Sequence, residues 1–92
     1  MTATEYLLRP LPEGWNPQYG DIIATPKETF AIVKVSDHTR YVRVLVKRGS
    51  TFKEEPFAIR DCRPVPIGEI EHNGDFYSLI KHRHRMLNPT FE

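Results

Sequence analysis

Ninety-two residues provide one hydrophobic core and one domain, near the short end of chains that fold without staples. With 39% hydrophobic residues and 11% aromatics the chain is not disordered, and its single cysteine, Cys62, excludes an intrachain disulfide. The net charge of +1 excludes a uniformly basic nucleic-acid binder, but it conceals islands of −2 (1–37), +4 (38–49), −3 (50–75) and +2 (76–92).

Residues 1–19 are expected to form an extended, proline-rich arm. "YLLRPLPEGWNPQYG" holds Pro10, Pro12 and Pro17, which favour polyproline geometry, while Gly14 and Asn16-Pro17 favour turns. The arm lacks the basic start and apolar run of a secretory leader, and no apolar stretch reaches membrane-spanning length. A cytoplasmic protein without membrane contact is therefore expected. "LPEGW" (11–15) resembles the opening of WW domains, but the second tryptophan of that family is absent. Trp15 is read instead as an anchor that pins the arm to the domain or to a partner.

Residues 20–66 carry the strand signals. "GDIIAT" (20–25) is a short strand bounded by Gly20 and Pro26, and "TFAIVKV" (29–35) is rich in β-branched residues. "SDHT" (36–39) turns the chain into "RYVRVLVK" (40–47), where Val42, Val44 and Val46 face one way and Tyr41, Arg43, Leu45 and Lys47 the other. "RGST" turns the chain again, and a further strand is expected from about Phe57 to Cys62, ended by Pro64 and Pro66. Short strands with tight turns and little helix describe a mainly β fold, a small barrel or roll of five to six antiparallel strands. The succession "GDII", "FAIVKV", "YVRVLVK", "FAIRDCRPV" resembles the strand order of SH3-like barrels, which implies that small barrel over residues 20–66.

Residues 67–92 are expected to pack on the same domain. Asn73-Gly74 predicts a hairpin with arms 67–72 and 75–81, since both central residues of a type I′ turn need positive φ. A short helix from Asp75 is the competing expectation, because Phe76, Leu79, Ile80 and Arg83 recur at helical spacing. The turn signal places the hairpin first.

The candidate chemistry lies on two basic islands. Tyr41, Arg43 and Lys47 on one strand face, with Arg40 and Arg48 at its ends, suit phosphate pairing with a tyrosine to stack on a base. The same pattern is also what a solvated outer face over a valine core looks like, although Leu45 is then oddly placed among charges. In "KHRHR" (81–85), Lys81, Arg83 and Arg85 would share a strand face, as would His82 and His84. The two histidines could supply half of a zinc site, but the remaining candidates, His38, His72 and Cys62, form no second closely spaced pair. A basic contact patch takes precedence over a metal, a solvated tail segment takes precedence over both, and no cofactor is expected.

Catalysis finds no motif. Cys62 beside Asp61 and Arg63 has no placed histidine base and reads as a half-buried strand cysteine. Glu54-Glu55 and Glu69/Glu71 lack the setting of a general acid and base, and the glycines are dispersed rather than gathered in a phosphate loop. The expected function is a non-catalytic protein-interaction module docking on a larger protein or complex, with Trp15, Tyr41, Arg43 and Phe76 as first anchors. The alternative is a DNA- or RNA-binding barrel that uses residues 40–48 and 81–85. Pairing of exposed strand edges into a homo-oligomer is a third route.

Overall fold

The computed structural model describes residues 2–37, 40–66, 68 and 74–88, with the side chains of the last segment from Tyr77 onward. The alternating run predicted at 40–47 forms the strand Tyr41–Arg48 (β3), with Val42, Val44 and Val46 buried on one side. Its neighbours in sequence are Ile22–Ala24 (β1), Phe30–Ser36 (β2) and Thr51–Ala58 (β4). After β4, a 3-10 turn at Ile59–Asp61 redirects the chain so that Arg63–Pro64 (β5) lies beside β1. All pairings are antiparallel, and the strand order is β4-β3-β2-β1-β5.

The fold is thus mainly β, but the barrel implied by the resemblance to SH3-like barrels is not formed. The sheet stays open: β4 is one edge and β5 the other, and β5 pairs with β1 over two residue pairs.

Both faces of this sheet are covered at β1, which has no exposed residue. On the first face Ile23, Val33, Val42, Val44 and Val46 pack under Phe57, Ile59 and Cys62, with Trp15 of the arm against them. Each valine taken out of water contributes about 1.5–3 kcal/mol, so this row is the main source of cohesion for the β2–β3–β4 meander. On the second face Ile22, Ala24 and Ile32 are covered by two helices, Ala3–Leu7 (α1) and Gly74–Leu87 (α2). Neither helix is long and apolar enough to cross a membrane among the described residues.

Three expectations change. The arm expected to be extended over residues 1–19 begins as a helix. The carboxylate of Glu5 accepts from the backbone N of Thr2 at 3.3 Å, one half of a capping box. Five residues are too few for a helix to stand alone. Burial of Ala3 and Tyr6 holds it, with the Tyr6 and Phe30 rings edge to face at 6.1 Å. Beyond it the arm does run without regular structure, strapped where Arg63 Nε donates to the carbonyl of Arg9 at 2.8 Å.

The strand expected at 57–62 instead spans Thr51–Ala58 and takes in Pro56. Proline is tolerated there because β4 is an edge strand, with one row of backbone groups outside the ladder.

The C-terminal segment is helical over Gly74–Leu87 rather than the second arm of a hairpin; the expected first arm, 67–72, lies outside the described residues. The sheet offers an apolar surface to Leu79, Ile80 and Met86, and that packing outweighs the local turn preference of Asn73-Gly74. The end of α2 is tied to the start of the core. Arg83 Nε donates to the carbonyl of Gly20 at 2.6 Å, and the Tyr19 hydroxyl donates to the carbonyl of Met86 at 3.3 Å.

Candidate functional site

The β2–β3 bulge between Val33 and Val35 and the tight β3–β4 connection decide which side chains share the outer face of β3. That face carries Tyr41, Arg43, Leu45 and Lys47, with Phe52 opposite Lys47 and Ala58 opposite Tyr41. α2 divides it. Leu45 and Phe52 pack into the helix-covered cluster, and the Phe52 ring stacks on His82 at 4.3 Å. Lys47 Nζ reaches Ser78 Oγ at 3.4 Å. The apolar Leu45 among charges is therefore one of the residues on which α2 sits. Tyr41 and Arg43 lie beyond the helix, and Tyr41 remains 60% exposed.

Most cations of the first basic island are engaged within the chain. Arg48 Nη2 donates to both carboxylate oxygens of Glu55 at 2.9 and 3.1 Å, and Lys27 approaches the same carboxylate at 3.5 Å. Arg43 lies 3.7 Å from Glu54, which Lys34 also binds. The Lys34 ammonium, with Arg43 in support, holds the Glu54 carboxyl below its ordinary range; Arg48 does the same for Glu55.

The second island is helical, so its residues do not line one face as they would on a strand. His82 turns to Phe52, whereas His84 lies beside Asn88. This separates the HxH pair, and among the described residues no three potential metal ligands come together. His38 and His72 lie outside the described residues. Arg83 is part of the fold through Gly20, while Lys81, whose ammonium stands 5.7 Å from the Tyr77 ring centre, and Arg85 are exposed. The side chain of Phe76 lies outside the described residues. The two islands meet at Lys47 and Ser78, and the exposed cations of each are not gathered into one row.

At the other end of β3 a cleft of about 450 Å³ is lined by Arg40, Tyr41, Ala58 and Arg60. Its backbone is firmly set. Asp37 Oδ1 accepts from the N–H groups of Arg40 and Tyr41 at 2.7 and 2.9 Å, and the N–H of Ile59 donates to the carbonyl of Arg40 at 2.8 Å. The last bond joins the start of β3 to the 3-10 turn and brings Arg60 to the cleft that Arg40 and Tyr41 line. Val35, 55% exposed, pairs with Arg43 on the same face, and Pro56 is exposed across from Arg43.

Sequence reasoning missed Arg60, because the strand then expected at 57–62 gave it no distinct position. A signal was present: a two-residue loop at Gly49-Ser50 pairs Arg48 with Thr51 and, carried along the ladder, Tyr41 with Ala58. Trp15 stands apart from this cleft. It is half-buried and lines a second cavity of about 320 Å³ with Asp21, Ile22, Pro64, Val65, Pro66 and Arg83. Cys62 is fully buried at the end of the 3-10 turn, and burial, reinforced by Asp61, pushes its thiol up to about 12. Comparison with protein-family models, with curated proteins and with solved structures found no match to this chain.

Proposed function

We propose that the chain is a non-catalytic protein-interaction module that docks on a larger protein through the uncovered end of the β3 face, around Val35, Arg40, Tyr41, Arg43 and Arg60. The observation that carries this reading is the exposed Tyr41 ring, set between arginines in a cleft on a rigid strand pair. Tyrosine and arginine are the side chains most often found as anchors at protein interfaces. A ring on an ordered strand also loses little conformational freedom on binding, which favours affinity.

The alternative of a DNA- or RNA-binding barrel has less support. A polyanion needs a continuous track of cations, whereas Glu54 and Glu55 sit among the cations of residues 34–48 and pair with them. Self-association along the edge of β4 is disfavoured by Lys53, Glu54 and Pro56, residues of the kind that discourage edge pairing. The small SH3-like barrel remains a description of strand succession alone.

Affinity capture from cell lysate with the wild-type chain and with Tyr41→Ala tests the reading. The expected outcome is a discrete set of proteins that nuclease treatment does not remove and that the variant retains about tenfold less well or worse, as for a hot-spot residue. Equal retention by Tyr41→Ala, or loss on nuclease treatment, would refute it.

A further inference from the structure

Arg40 and Arg60 differ from Arg43 and Arg48, the two arginines of β3. Arg48 is paired with Glu55 and Arg43 with Glu54, but neither Arg40 nor Arg60 has an acidic partner among the described residues. Asp37 Oδ1, close by, accepts from the backbone N–H groups of Arg40 and Tyr41. Asp61, next to Arg60 in the 3-10 turn, makes no ion pair with it. Arg40 and Arg60 therefore line one cleft, beside a tyrosine, without an acidic side chain paired to either among the described residues.

We infer that this cleft seats a carboxylate from an acidic segment of a partner protein, bound by Arg40 and Arg60 and flanked by the Tyr41 ring. The inference rests on the docking reading above and specifies its chemistry. A guanidinium presents its donors as a planar fork that matches the two oxygens of a carboxylate, and such charge-assisted bonds are stronger than neutral ones. Ala58, opposite Tyr41, adds a small apolar side chain to the cleft lining, which suits the methylene stem of a glutamate beside the tyrosine ring. A nucleic-acid strand fits less well. Its phosphates recur along the chain, and a strand running from the cleft along β3 would meet Glu54, which already pairs with Arg43 and Lys34.

The test is a titration followed by amide nitrogen–proton correlation spectra and by fluorescence anisotropy. Three labelled probes are used: a peptide alternating glutamate and leucine, the same peptide with glutamine for glutamate, and an oligothymidylate of equal length. The expected result is saturable shifts at Tyr41, Ala58 and Arg60 with the acidic peptide. Binding should be about tenfold weaker or worse with the glutamine peptide and with the variant carrying Arg40→Gln and Arg60→Gln. Both arginines are exposed, and unchanged signals from Val42, Val44 and Val46 would establish that this variant keeps its fold. Equal binding of the glutamine peptide, or of the acidic peptide to the doubly substituted chain, overturns the carboxylate seat. So does the absence of cleft shifts with the acidic peptide. In these three cases a loss of captured proteins with Tyr41→Ala would still uphold docking. Oligothymidylate displacing the acidic peptide from the cleft would overturn both.

Discussion

Gly20 has φ +88, and a Cβ built there would lie 2.8 Å from Leu87 Cδ2, with the Arg83 guanidinium on its carbonyl. Its conformation and its lack of a side chain both serve the docking of α2 on the core. Gly20→Ala is expected to cost about 1–3 kcal/mol from the positive φ together with the displaced Leu87. Urea unfolding checks this: the midpoint should fall while the slope stays unchanged, and a wild-type midpoint would show that Leu87 yields without consequence. The carboxylates of Glu54 and Glu55 give a second prediction at this scale. Both are held below the ordinary value of 4.5 by Lys34 and Arg48 respectively, so the folded state prefers them ionised. That stability is complete above the unfolded value and is lost as pH falls through the lower folded one. Melting temperature should therefore decline as pH drops below about 4.5, and the decline should be shallower in a Glu54→Gln, Glu55→Gln variant. Identical slopes for both chains would place the acid sensitivity elsewhere.

Among the elements, α2 depends most clearly on the rest of the fold. Leu79 is 3% exposed beneath it, whereas Leu87 near its end is 41% exposed. Leu79→Ala is expected to lower stability by about 2–5 kcal/mol, the range for a buried leucine, and to weaken the helical far-ultraviolet signal. Leu87→Ala should cost distinctly less, and equal losses would contradict the packing described for the helix. The sequence made β1, β2 and β3 legible because their β-branched residues alternate or cluster between Gly20, Pro26 and the polar turns. It concealed β4, whose Thr51–Ala58 run exposes half of its residues and puts Phe52 and Phe57 on opposite faces. α1 was hidden for another reason: a five-residue helix exists through burial of Tyr6 against the sheet, a contact no local pattern announces. At the C-terminal end the Asn-Gly signal and the helical spacing competed, and a sheet face ready to receive Leu79 decided between them.

At the scale of the whole molecule, an open sheet is buried on one face by the chain's own 3-10 turn and arm, and on part of the other by two helices. The helices stop short of the β3 end that bears Tyr41. The exposure of that tyrosine follows from where α2 ends its coverage, and of the arginines beside it Arg43 is paired with Glu54. From the sequence, Tyr41, Arg40 and Arg43 could be placed on an outer surface, but their separation from Lys47 required α2 in position. Trp15 and Arg83, also read as contact residues, are used within the chain, one against the valine face and one on the carbonyl of Gly20. Hydrogen exchange read by mass spectrometry, on the chain alone and bound to a captured partner, tests docking at this end most directly. The account predicts new protection in peptides covering 40–43 and 56–60 and little change over 77–88. Protection confined to α2 or to the free edge near Thr51, with 40–43 unaltered, would contradict it.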